Sequence, residues 1–211
     1  EATGIYEKDS PWYGNPEFKI KYDQAAAQKL MTEAGFSKDK PVKVKVLTSA
    51  SGSGQMQPLP MNEYIQQSLK GCYFDVDIAV TEWNTLFSGW RLGAKDPAAQ
   101  GANAINVSAA VMDPYFGMVR FASEKAFPPV SNNWGYFASP EVEKLITTVR
   151  NSFDAKALDE AAGKLHAAIV DETPFLFVAH DVGPRAISPK VTGVVQPQSW
   201  FIDLSLVSKQ D

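Results

Sequence analysis

The chain has 211 residues, 45% of them hydrophobic, with a formal charge of -4 and a pI near 5.3, which is enough apolar material for one large or two small domains. It has no cluster of lysine or arginine, and so carries no electrostatic footprint for nucleic acid or an anionic membrane. No run approaches the roughly 20 apolar residues of a membrane span, the first residues lack the basic and apolar regions of a signal peptide, and a single cysteine excludes an internal disulfide.

Residues 1–21, rich in Pro, Gly and aromatics around Pro11, Trp12 and Tyr13, read as an irregular leading segment. Asp23 has the chemistry of a helix cap. Ala26, Ala27, Leu30, Met31 and Ala34 then recur as one apolar stripe, and Gly35 fits the left-handed position that ends a helix. Val42, Val44 and Val46 alternate with Lys43 and Lys45, predicting a strand over 42–48 with one face on a core and the other in water. A flexible loop, Ser49 to Gly54, leads to a helix near 59–70 that Gly71 closes, and Cys72 beyond it reads as a small buried apolar side chain. Phe74, Val76, Ile78 and Val80 alternate with Asp75 and Asp77 as a second half-buried strand. Trp83, Leu86, Phe87 and Trp90 share one side of a short helix that stops near Gly93.

Residues 95–133 are weakly periodic, with a strand at 104–108 between long loops, and loops of that length are commonly functional. Ser139-Pro140 starts a helix carrying Val142, Leu145, Ile146, Val149 and Phe153. Asp154 caps another with Leu158, Ala162, Leu165 and Ile169. Phe175 to Ala179, a continuous apolar run after Pro174, reads as a strand covered on both faces.

A helix feeding a strand is the unit of a layered α/β domain. The order Tyr22-Asp23, Ala34-Gly35-Phe36, Glu82-Trp83, Asp113-Pro114 with Phe116, Gly135-Tyr136, Ser139-Pro140-Glu141, Asp171-Glu172-Thr173-Pro174 and Pro189 to Gly193 resembles the family 5 extracellular solute-binding proteins, the peptide/nickel-type receptors of ABC importers. The resemblance implies a periplasmic binding protein-like type II lobe with a mixed sheet flanked by helices: an α/β domain over 1–175, then a hinge strand and return segment over 176–211. The partner of this second lobe is then a missing N-terminal lobe of the same protein. The resemblance further implies a small-molecule solute held between the lobes, an ABC permease in the membrane as the docking partner, and a periplasmic or extracytoplasmic location, membrane-anchored in a single-membrane bacterium. A ligand-sensing domain of a regulatory protein built on the same lobe is the alternative.

The candidate ligand-binding residues are Trp83, Asn106, Val107, Ser108, Asp113, Phe116, Asn132, Trp134 and Tyr136. Trp83 and Trp90 share a helical face, so two core anchors stand against one ring reaching a cleft wall; by resemblance Trp83 matches the family's tryptophan. The segment from Asn103 to Phe116 presents amides, hydroxyls and backbone groups where α/β sheets tend to bind, although Asp113 before Pro114 also fits a simple turn. Asn132, Trp134 and Tyr136 combine amide hydrogen bonding with stacking, or anchor a surface loop. By resemblance, the place where the family's peptide binders carry an aromatic holds Val107. The place of the aspartate that meets a peptide's amino terminus holds Ala110. A buried cation needs such a partner, so opine-like and sugar-type solutes stand beside peptides.

Other chemistry lacks its residues. His166 and His180 have no second ligand at metal spacing, so neither metal nor cofactor is expected. Ser51 to Gly54 lacks the lysine of a phosphate-binding loop. No nucleophile elbow appears, and Asp75 and Asp77 lie on a wetted strand face, so no catalytic residue and no enzymatic activity are expected.

Overall fold

The structure is a computed structural model that describes residues 2–52, 55, 57–108, 113–181, 185–197 and 202–210. In chain order the elements are α1 (Gln24–Glu33), β1 (Val42–Ser49), α2 (Pro58–Lys70), β2 (Phe74–Thr81), α3 (Trp83–Leu92), β3 (Ala104–Ile105), α4 (Pro114–Ala122), α5 (Pro140–Arg150), α6 (Ala155–Asp171), β4 (Val191–Thr192) and β5 (Ser208–Lys209). β1 is the centre of a parallel three-stranded sheet, order β2-β1-β3, with Leu47 opposite Ala79 and Ile105. The antiparallel pair β4-β5 stands apart. This is the α/β class expected from the sequence.

The helices lie on both faces of the sheet. On one, Asn62 of α2 donates to Thr48 Oγ1 at 3.2 Å and Gln66 to the Val76 carbonyl at 2.7 Å. On the other, Leu47 packs with Leu86 and Trp90 of α3 and with Ala99, Ala102 and Trp134. A second core joins Met118 and Ala122 of α4, Val142, Ile146 and Val149 of α5, and Ala161, Ala162, Leu165 and Ile169 of α6 with Tyr6. Stacked rings of Trp90 and Phe121, 5.9 Å apart, connect the two.

Caps set the helix starts. Asp23, Ser139 and Asp154 accept from Ala26, Val142 and Ala157 N–H respectively. Gly35, at φ +86°, ends α1, with its own N–H on Thr32 O and that of Phe36 on Met31 O.

Several expectations are corrected. The α1 stripe is not covered: no residue of α1 is buried and Leu30 is 64% exposed. The Val/Lys alternation fails at the end of β1, where Leu47, Thr48 and Ser49 are all buried, because a central strand under two helical layers has no water face. Val80 of β2 is half exposed. The strand predicted over 104–108 is limited to its first two residues. Residues 114–122, read as loop, form α4 behind the cap of Asp113. α5 stops at Arg150, leaving Phe153 outside it and 93% exposed. Phe175 to Ala179 is not a strand. A strand needs a neighbour along its length, and among the described residues this run receives one backbone hydrogen bond, from Ala2 N–H to Val178 O at 3.3 Å, while Leu176 and Ala179 face out. Cys72 is half-buried in the turn after α2.

Candidate functional site

β1 leads through α2 to β2 on one side, and the chain returns through α3 to β3 on the other. The carboxyl ends of β1 and β3 therefore flank the point where the connections diverge, the place where open α/β sheets form a crevice. Asn106 N–H donates to Leu47 O at 2.8 Å, extending the pairing, and Gln55 Nε2 donates to Asn106 Oδ1 at 2.6 Å, tying the loop after β1 to the loop after β3. Trp83 opens α3 directly behind β2. Gly52 lies against it so closely that a Cβ there would sit 2.8 Å from Trp83 Cβ.

Glu82 caps α3 through Thr85 N–H at 3.1 Å, and hydrogen bonds from Asn84 and Thr85 hold its carboxyl below the usual range. Trp83, Asn106, Val107 and Ser108 thus lie at the same end of the sheet, all partly buried. Asp113 accepts from Phe116 N–H at 2.7 Å as the cap of α4, so its side chain has a structural task, and Phe116 is half exposed.

Asn132, Trp134 and Tyr136 lie elsewhere. Asn132 receives Trp90 Nε1–H on its carbonyl at 3.2 Å, Trp134 O accepts from Ala94 N–H at 3.0 Å, and the Tyr136 hydroxyl abuts Gly93. These contacts are with the carboxyl end of α3, while Trp83 is at its start, about 15 Å away along a ten-residue helix. Trp134 is 6% exposed within the sheet core, and Lys95 Nζ covers the Tyr136 ring at 4.0 Å. The loop therefore packs against the base of α3 rather than the strand ends. Ala110 lies outside the described residues.

Two residues were missed by sequence reasoning. Ser49, the last residue of β1, is 1% exposed, and its hydroxyl meets no partner among the described residues. Nothing in its sequence context marks it. Arg120 of α4 lays its guanidinium over Phe116 at 4.8 Å and Phe121 at 4.4 Å, and burial lowers its pKa against the opposing pull of Asp113. An i, i+4 spacing of Phe116 and Arg120 was the available signal.

Among the described residues no group of three or more His, Cys, Asp or Glu is arranged to hold a metal ion, and no helix is long and apolar enough to cross a membrane. Buried aromatic surface beside a few hydrogen-bonding groups is the chemistry of retention.

Residues 1–160 match the bacterial extracellular solute-binding proteins, family 5 Middle, and the chain belongs to this family, which is defined by binding solutes and not by a reaction. It is 27% identical over 167 residues to the periplasmic oligopeptide-binding protein OppA of Haemophilus influenzae, covering 79% of this chain and 29% of that protein. Its fold is similar to part of the dipeptide binding protein from Pseudoalteromonas sp. SM9913 in complex with Met-Leu, with a TM-score of 0.77 and 21% identity over 99% of this chain and 40% of that one. NikA from Staphylococcus aureus in complex with Ni(L-His)2 gives a TM-score of 0.69 and 16% identity over 98% of this chain and 42% of that one. The chain thus spans less than half the length of these relatives.

Proposed function

We propose that the chain is the second lobe and return segment of an ABC importer receptor that captures a small polar solute between two lobes, releases it unchanged and docks on a membrane permease. In this reading residues 1–175 form the lobe and 176–211 return toward an N-terminal lobe, outside the cytoplasmic membrane. The observation that carries it is the uncovered apolar surface of the return segment. Leu176, Val195, Leu204 and Leu206 are 66–75% exposed, and Leu204 lines an open groove of about 470 Å³ together with Ile187, Val191, Ile202 and Val207. An apolar surface of this kind marks a contact with another body, and a first lobe in the remaining length of the relatives supplies one.

The end of the sheet then forms one wall of the cleft, with Trp83 for stacking and Asn106, Val107 and Ser108 along the solute. Asp113 and Phe116 flank it, and Asn132, Trp134 and Tyr136 support the wall from behind α3. Solutes of the relatives' kinds, a short peptide or a metal–amino acid complex, come first, with opine- and sugar-type solutes after them. Calorimetric titration of the two-lobed protein with these four classes is the test. Saturable binding of one class supports the proposal; heat from none of them overturns it.

A further inference from the structure

The leading segment is wrapped around one imidazole. His166 of α6 is 0% exposed. Its Nε2 accepts from Ile5 N–H at 2.9 Å and faces Tyr6 N–H at 3.4 Å, while Nδ1 lies 2.7 Å from the Tyr13 carbonyl. Two N–H groups converging on Nε2 fix the tautomer: Nδ1 carries the proton and donates to Tyr13 O. The rings of Tyr6 and Tyr13 flank the imidazole at 5.3 and 5.2 Å, and a Cβ on Gly4 would fall 2.4 Å from its Nε2. One side chain thus gathers residues 4, 5, 6 and 13.

This segment also meets the outgoing one. Ala2 N–H donates to Val178 O at 3.3 Å, and His180 brings Nε2 to 3.1 Å from Gly4 O and Nδ1 to 3.5 Å from Glu7. The leading segment and the start of the return segment therefore lie side by side.

We infer that His166 is a proton-sensitive latch that holds the leading segment, residues 2–13, on α6 and releases it on acidification. A proton on Nε2 turns the acceptor of Ile5 N–H into a donor facing donors, and places a charge on a ring that, among the described residues, has no carboxylate bonded to it. Tyr6 and Tyr13 come from the leading segment, Tyr6 donating to the Asp113 and Pro114 carbonyls near Arg120. His180, paired with Glu7, comes from the outgoing segment, and Asp159 of α6 is engaged by Trp12 Nε1 at 2.7 Å. Burial, together with His180, lowers the His166 pKa, while the bond to Tyr13 opposes the shift. The latch is therefore closed above the ordinary value of 6.5 and weakens as pH falls below it, because the released form takes up the proton more readily. Its consequence for lobe movement rests on the receptor reading; the latch itself does not.

The test is free of solute. In the 211-residue chain, ¹⁵N spectra of histidine show a neutral Nδ1–H tautomer for His166 at pH 8. Amide exchange of Ile5 and Tyr6, corrected for intrinsic rates, loses up to about tenfold protection per pH unit below 6.5, while amides of α5 hold theirs longer. His166→Gln, which keeps an acceptor and cannot titrate, removes this pH dependence. An Nε2–H tautomer, an ordinary titration with Ile5 still protected at pH 5, or an unchanged pH profile in His166→Gln overturns the latch. Failure of the receptor reading shows instead as absent solute binding, with these signals intact.

Discussion

Replacing Gly14 by alanine tests whether the leading segment is seated on α6 as tightly as the geometry requires. Gly14 has φ +68°, and a Cβ there would lie 2.0 Å from the carbonyl oxygen and 2.6 Å from the carbonyl carbon of Gly163, in the middle of α6. The obstacle is helix backbone, which cannot rotate away like a side chain, so the two segments must separate by roughly an ångström or more. Left-handed backbone costs alanine about 1 kcal/mol, and overpacking of this kind adds about 2 kcal/mol, giving about 3 kcal/mol in all. For a chain of this size that corresponds to a fall in Tm of about 6–12 °C. Gly35→Ala is the control, because Gly35 has φ +86° with nothing within 4 Å of the added Cβ, so strain alone acts and the fall is about 2–4 °C. Urea unfolding and calorimetry on the two variants measure the difference. Equal destabilisation would refute the close packing of residues 11–14 on α6.

Trp90→Ala removes a buried ring that stacks on Phe121 and donates to Asn132 O, and denaturant unfolding should show a loss of about 3–5 kcal/mol. Ser139→Ala deletes the cap of α5 and the hydroxyl bonded to Glu172, with an expected loss of about 0.5–2 kcal/mol by the same assay. Stability should rise with pH through the region below 6.5, because His166 is held neutral in the fold and the unfolded chain binds its proton more readily; unfolding curves at pH 5, 6 and 7 check the sign. In the two-lobed protein, Trp83→Ala should weaken solute binding about tenfold or more, read by calorimetry, consistent with about 1–3 kcal/mol for a stacking ring.

How much was legible in the sequence follows from how local each signal is. Caps act within one turn, so Asp23, Ser139 and Asp154 announced their helices, and Gly35 its left-handed stop. α4 escaped because Pro114 to Ala122 is apolar nearly throughout, with Arg120 its one charged residue, so a short helix there does not stand out from an apolar loop. β1 misled for the opposite reason: Lys43 and Lys45 lie near its start, whereas burial on both faces begins at Leu47, where helices from distant sequence close over the sheet. Phe175 to Ala179 has the composition of a buried strand without the neighbours that make one. The position of Trp83 and Asn106 just past strand ends was readable because a strand end followed by a helix or loop is a local pattern. That Asn132, Trp134 and Tyr136 belong to the other end of α3 is a tertiary fact, and so is the burial of the Ser49 hydroxyl away from any partner among the described residues.

The most direct measurement of the central claim is native mass spectrometry of the two-lobed protein, purified without added solute, followed by titration with whatever it releases. A receptor of this kind should release one chemically unaltered small solute per protein, which rebinds saturably and loses affinity when Trp83 is replaced. A protein that retains and rebinds nothing, or that returns the solute chemically changed, would contradict it.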